Sequence, residues 1–267
     1  MTEPVDSSRS RPAAVTRPGG LLVLLRHGQS TANAAGEFSG WLDVPLTDRG
    51  RREAAAAAAL LAEHALLPDV VHTSVLARAI STADIVGQEL NRPWVATQRS
   101  WRLNERYGAL QGKSKAEVRG QVGDDTFNRW RRSYAERPPE LAVNDPRSAA
   151  DDPRYGQLPP DALPTAESLG DVNARLLPYW QDAIARDLRL GLTTLVIAHG
   201  NSLRALVMHL DALTEREVAL LNIPTGIPLH YDLDDCLQPT VRGGCYLDPA
   251  TPLRDRGSQS RERAWHR

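Results

Sequence analysis

Two continuous apolar runs, Leu21–Leu25 and Leu192–Ala198, are each closed by a histidine followed by a glycine. Runs with no polar alternation read as strands buried on both faces, as in a parallel sheet. Around them the pattern switches repeatedly between short apolar runs and helical periodicity. Thr47 is placed to cap a helix running through the alanines to about Ala65. Asp69–Thr73 reads as a short strand, Val75–Leu90 as a helix and Trp94–Thr97 as another short strand. Short helices are expected over Ser114–Val122 and Asp124–Tyr134. Residues 137–164, rich in Pro, Asp and Arg, read as a long loop over the fold. A long helix is expected over Glu167–Leu188, kinked at Pro178. Ser202–Leu213 reads as a helix and Ile227–Leu233 as the last strand. This alternation predicts an α/β fold, a three-layer sandwich with a mostly parallel central sheet flanked by helices. In such open sheets ligands bind beyond the carboxyl ends of the strands.

Composition narrows the picture. The 267 residues carry a net charge of -1, which argues against bulk nucleic-acid binding, a task that needs a positive field. No apolar stretch approaches the ~20 residues that span a bilayer. Residues 1–20 hold prolines, a glycine pair and several Ser and Thr residues but no apolar core of a secretory signal. They are expected to be a disordered lead-in, with the cytoplasm as the default compartment. Residues 251–267 are polar and charged and are expected to be a flexible tail, leaving a single domain over 21–250. Two cysteines, Cys236 and Cys245, are too few for a disulfide framework or a four-cysteine zinc site. Only two of the 32 basic residues are lysines, Lys113 and Lys115. Most arginines in so Arg-rich a chain are expected to be solvated surface.

A single buried histidine is most often a satisfied core residue. Two of them, His27 and His199, in the same strand-end, His-Gly context are harder to explain that way. Each places an imidazole where an open sheet puts its active site, and the following glycine permits a sharp turn and close approach of a ligand. Arg26 precedes His27, and Arg78 sits early in the helix after Thr73. Guanidinium groups pair bidentately with phosphate, and a neighbouring cation disfavours imidazolium. His27 is therefore expected to be neutral, as a nucleophile must be. His199 is expected to stay partly protonated and to donate to phosphoryl oxygens.

At this level of detail the chain resembles the histidine phosphatase superfamily, and within it the 2,3-bisphosphoglycerate-dependent phosphoglycerate mutases. The resemblance rests on an ordered set of segments: Arg26–Asn33, Phe38–Val44, Thr73–Ile80, Trp101–Arg106, Tyr107–Gly112, Trp130–Ser133, Glu167–Leu169, His199–Arg204 and Asn222–Leu229. It spans roughly residues 20–240. The chain departs from the pattern at Gln29, where most such mutases have Glu, and at Ala32, often Trp. The stretch Glu105-Arg106-Tyr107-Gly108 is also one residue shorter than the usual E-R-H-Y-G.

The resemblance implies that His27 carries a phosphoryl group as phosphohistidine, cradled by Arg26, Asn33, Arg78 and His199. It implies that Glu105 is the general acid and base toward the substrate hydroxyl. It makes Ser39, Gly40, Tyr107, Lys115, Arg131, Arg132 and Asn201 the holders of the substrate's carboxylate and phosphate. The five cations Arg26, Arg78, Lys115, Arg131 and Arg132 would oppose a substrate carrying about three negative charges. Partial burial and phosphoryl charge are both expected to raise the pKa of Glu105. The insertion over about 113–165 is expected to act as a lid that keeps water from the phosphohistidine. The implied activity is interconversion of 3- and 2-phosphoglycerate, primed by 2,3-bisphosphoglycerate, without a metal, in a homo-oligomer, dimer or tetramer. The alternatives are a phosphatase using the same His27 chemistry on a small phosphorylated metabolite, and a non-catalytic phosphate-binding protein.

Overall fold

The structure is a computed structural model in which residues 20–142 and 144–248 are described. The expected lead-in before Gly20 and the expected tail after residue 250 lie outside the described residues. In chain order the elements are β1 (Leu21–Arg26), α1 (Thr31–Ala34), α2 (Asp48–Glu63), β2 (Val70–Thr73), α3 (Ala77–Glu89) and β3 (Ala96–Arg99). They continue with α4 (Lys115–Arg132), α5 (Leu169–Tyr179), α6 (Ala185–Arg189), β4 (Thr193–Ala198), α7 (Gly200–Leu210), α8 (Glu215–Leu220), β5 (Leu229–Asp232) and β6 (Cys245–Tyr246).

The strands form one sheet in the order β3-β2-β4-β1-β5-β6. The first four in that order pair in parallel, and β5 and β6 are antiparallel. Alternate side chains of the central strands leave the sheet on opposite faces. Leu22, Leu24, Val196 and Ala198 pack beneath α5, α6 and α7, against Leu176, Leu188 and Leu206. Val23, Leu25, Leu195 and Ile197 pack on the other face, beneath α2 and α3, against Leu61, Ala79 and Val86. Both faces are covered, so the two apolar runs carry no polar alternation. The three-layer expectation holds.

The local departures have physical causes. The helix after His199 begins at Gly200, not Ser202, because Ser202 serves the cap from inside the helix: its Oγ accepts from His199 N at 3.0 Å. The α3 helix starts at Ala77 rather than Val75, where a distant residue caps it: Asp43 Oδ1 accepts from Ala77 N at 2.6 Å. The two short helices expected around Gly123 are present as the two halves of α4, kinked apart at Gly123, whose φ of 78° lies in the left-handed region. The kink expected at Pro178 takes the form of a wide turn over Trp180–Ile184, following the residue that lacks an N–H. The strand expected at Trp94–Thr97 sits two residues later, since Val95 N closes a turn onto Arg92 O. Ile227–Leu233 contains β5 but does not end the sheet, because Cys245–Tyr246 adds a further antiparallel strand. No described helix is long and apolar enough to cross a membrane.

Candidate active site

β1 and β4 are parallel neighbours in the register Arg26 to Ala198. The residues that follow them must therefore meet, and His27 N donates to Ala198 O at 3.1 Å. The two imidazoles lie with ring centroids 4.9 Å apart, inclined by 58°. Both are buried. His27 Nδ1 lies 2.7 Å from Gly28 O. A carbonyl can only accept, so Nδ1 carries the proton and Nε2 keeps its lone pair. Burial, then Arg78 and Arg26, hold the His27 pKa well below the ordinary imidazole value. The expectation of a neutral His27 agrees with this.

The expectation of a partly protonated His199 does not. Burial, then Arg78, His27 and Arg26, hold its pKa well below the ordinary value as well. The ring is neutral, with Ser74 Oγ 2.7 Å from its Nε2. A buried imidazole beside two guanidinium groups has nothing to stabilise a proton until an anion arrives.

The role of Gly28 also differs from expectation. A Cβ there would stand 2.1 Å from Gly50 O, on the first turn of α2. The glycine lets a helix backbone, not a ligand, approach the strand end. Gly200 does border the site: a Cβ would come 3.6 Å from Arg26 and Glu105.

Arg78 is fully buried, and its two terminal nitrogens each donate at 2.8 Å, to Leu42 O and Gly40 O. Arg26 is fixed by a bond from Nη1 to Ile223 O at 2.9 Å. The Nε groups of both arginines are buried without an acceptor among the described residues. Two cationic N–H donors are thus held beside His27.

Glu105 accepts from Arg106 N at 2.7 Å, from Asn201 Nδ2 at 2.6 Å and from Asn201 N at 3.3 Å. Burial alone would raise its pKa. The Arg106 and Asn201 hydrogen bonds, with Arg26 and Arg78, outweigh burial and hold the carboxyl below its ordinary value. The expectation of a raised pKa is therefore corrected: among the protein groups alone, Glu105 is ionised and ready to accept a proton.

These groups border an open, concave cleft, the usual form of a small-molecule site. All seven residues expected to hold substrate line it, namely Ser39, Gly40, Tyr107, Lys115, Arg131, Arg132 and Asn201, and so does Asn33 of the expected phosphoryl cradle. Arg26 and Glu105 line it too, while His27, Arg78 and His199 lie behind the lining. Two further cations, Arg106 and Arg204, line the cleft and were not singled out from sequence. The signal for both was proximity: Arg106 adjoins Glu105, and Arg204 lies one helical turn past Asn201.

Tyr107 is placed differently from a simple ligand holder. Its hydroxyl accepts from Ala149 N at 3.1 Å, and its ring meets Trp41 edge-on at 5.1 Å. Its own N–H donates to Glu167 Oε2 at 2.9 Å, and Glu167 is paired with buried Arg175. These bonds set the register of the shortened stretch. The described residues of 137–164 form the expected long loop, broken by two short 3-10 turns and pinned beside the cleft. Arg147 Nη1 donates to Gln111 O at 2.6 Å, and Arg154 Nη1 to Asp43 Oδ2 at 2.7 Å. Tyr155 stacks on Trp41 with centroids 4.8 Å apart. Among the described residues no group of three His, Cys, Asp or Glu side chains could hold a metal ion.

Comparison with known proteins follows the same lines. The sequence model of the histidine phosphatase superfamily (branch 1) matches residues 22–151. The chain is 57% identical over 229 residues to the 2,3-bisphosphoglycerate-dependent phosphoglycerate mutase of Thermobifida fusca, covering 85% of this chain and 93% of that one. It is 55% identical over 231 residues to the protein of the same name from Rhodococcus jostii, covering 86% and 91%. Among solved structures it is similar to a mycobacterial glucosyl-3-phosphoglycerate phosphatase, with a TM-score of 0.61 and 26% identity over 79% of this chain and 92% of that one. The fold is also that of Bacillus stearothermophilus YhfR, with a TM-score of 0.60 and 23% identity over 85% of this chain and 94% of that one.

Proposed function

The chain belongs to the histidine phosphatase superfamily, among its 2,3-bisphosphoglycerate-dependent phosphoglycerate mutases, and from that premise we propose how its residues divide the work of interconverting 3- and 2-phosphoglycerate. The observation that carries the reading is His27, neutral, with Nε2 free and two arginine N–H donors unpaired beside it.

His27 Nε2 is the nucleophile that takes a phosphoryl group. Arg26 and Arg78 donate to the phosphoryl oxygens through their Nε groups, with Asn33 on the cleft side and His199 on the other. When a phosphoglycerate hydroxyl attacks phosphorus, Glu105 takes the hydroxyl proton as the P–Nε2 bond breaks and the electron pair returns to Nε2. In the reverse direction Glu105 gives that proton to the departing oxygen. The ionised state of Glu105 suits the first step. Lys115, Arg131 and Arg132 on α4, together with Ser39, Gly40, Tyr107 and Asn201, hold the remaining phosphate and carboxylate. Cationic lining of this kind opposes the substrate charge despite a net charge of -1 on the chain.

2,3-bisphosphoglycerate, when bound, supplies the priming phosphoryl group. The chain's residues fit it: buried, unpaired guanidinium donors on Arg26, Arg78 and Arg106 are what phosphate oxygens accept from. The segment over about 113–165 serves as the lid, with the Arg147 and Arg154 bonds as its fastenings and water exclusion as its purpose. The enzyme works as a homo-oligomer, dimer or tetramer, on the strength of the resemblance, with the cytoplasm as its default compartment. A second reading, transfer from His27 to water, is favoured by the likeness to a phosphatase at 26% identity.

Phosphorylation itself gives the first test. Brief mixing with 2,3-bisphosphoglycerate should load one phosphoryl group per chain, acid-labile and stable in alkali, with or without EDTA. Loss of loading in EDTA would contradict a metal-free transfer, and an acid-stable product would exclude a phosphohistidine.

A further inference from the structure

Arg204 sits on α7, one turn beyond Asn201, and is buried. Two backbone carbonyls hold two of its three guanidinium nitrogens. Nε and Nη2 donate to Val218 O at 3.2 and 2.6 Å, and Nη2 also donates to Arg132 O at 3.3 Å. The remaining nitrogen, Nη1, donates to Asn201 Oδ1 at 3.0 Å. Burial, chiefly, pushes its pKa down to about 9, so it remains a cation and a pure donor at neutral pH.

The consequence falls on Asn201. A guanidinium only donates, so it must face the amide oxygen; a carboxylate only accepts, so Glu105 must face the amide nitrogen. The observed bonds follow this rule, with Asn201 Nδ2 donating to Glu105 Oε1 at 2.6 Å. A flipped amide would set donor against donor and acceptor against acceptor at both ends. We infer that Arg204 is a positioning residue: clamped by the Val218 and Arg132 carbonyls, it locks the Asn201 amide in the one orientation that donates to Glu105, and so aims that carboxylate. It also ties the end of α4, which carries Arg131 and Arg132, to the first turn of α7. The inference rests on Glu105 being the acid and base of the reaction.

The test compares Arg204→Met and Arg204→Lys in the full-length enzyme, with kcat, KM for 3-phosphoglycerate and the pH profile as readouts. Arg204→Met frees the Asn201 amide and removes a nearby cation. It should lower kcat on the order of 10-fold through misplacement of Glu105, with KM changed less than kcat. Weaker support of the carboxylate raises its pKa, and a base must be ionised, so the acid limb of kcat/KM should move to higher pH. The other cations facing Glu105 are Arg26 at the end of β1, Arg78 on α3, Arg106 in the loop and Lys115 on α4. None of them is altered, so the shift reports Arg204. Arg204→Lys keeps a cation and a donor toward Asn201 Oδ1 and should return the limb toward wild type.

A KM raised more than 10-fold, with kcat and the limb unmoved, would make Arg204 a direct substrate ligand and overturn the inference. A wild-type profile would overturn it as well. Should Arg204→Met fail to fold, Arg204→Gln, which can still donate to Val218 O, carries the same expectation and the same contrary outcomes. Glu105→Gln serves as the control. Full activity there would remove the role of Glu105 itself. A slow Glu105→Gln beside an unshifted Arg204→Met would remove only the role of Arg204.

Discussion

Replacing His27 by Gln should lower mutase turnover by about 10⁴-fold or more and leave no phosphorylated protein, the loss expected when a covalent nucleophile is removed. Proton placement makes this expectation specific. Nδ1 is committed to Gly28 O, so Nε2 is the only ring atom with a lone pair to offer phosphorus. The neutral state is secured by burial first, and by Arg78 and Arg26 next. Each arginine therefore acts twice: it keeps the nucleophile unprotonated before transfer and neutralises the phosphoryl charge after it. Glutamine can occupy much the same volume and still donate to the Gly28 carbonyl, so a loss of rate would not merely report a collapsed strand end. Rapid-quench mass measurement and steady-state turnover together check the prediction. Retained turnover, or a phosphoryl group on another residue, would sink the assignment.

Glu105→Gln should cost on the order of 10²–10⁴ in kcat, the usual worth of a positioned general acid and base. The substitution keeps size and burial but removes the proton acceptor. It also presents an amide where Asn201 Nδ2 and two backbone N–H groups now find a carboxylate. Phosphoenzyme that has already formed should survive longer in this variant, because the attacking hydroxyl has nowhere to send its proton. The charge balance adds a sign. Arg26 and Arg78 help hold the Glu105 pKa down. A phosphoryl group on His27 offsets both, so the Glu105 pKa should be higher in the phosphoenzyme than in the free enzyme. A near-wild-type rate for Glu105→Gln would mean that the proton passes through another group.

Much of this site could be read from the chain before any coordinates, and the reason is geometric. A short continuous apolar run ended by His-Gly reads as a strand covered on both faces, and Leu21–Leu25 and Leu192–Ala198 do lie in neighbouring strands at the sheet centre. The residues at their ends, His27 and His199, then had to meet. Segments whose chemistry is local, such as the Thr47 cap, were legible for the same reason. What escaped depends on contacts between distant parts. The neutrality of His199 and the ionisation of Glu105 follow from the balance between burial and neighbours, which no spacing reveals. The start of α3 depends on Asp43, thirty-odd residues upstream. Gly28 looked like room for a ligand because Gly50, its actual neighbour, arrives from another element. Arg106 and Arg204 were hidden among many arginines, and only the cleft distinguishes them from surface. The short helices α1 and α8 and the two-residue β6 carry too few residues to leave a periodic signal.

The most direct test of the account is a phosphorus NMR time course of the protein with 3-phosphoglycerate, with and without a catalytic amount of 2,3-bisphosphoglycerate. The account predicts equilibration with 2-phosphoglycerate, strongly accelerated by the bisphosphate, with little inorganic phosphate released. Release of inorganic phosphate without isomerisation would contradict it, and would make the enzyme one in which water, not a phosphoglycerate hydroxyl, takes the phosphoryl group from His27.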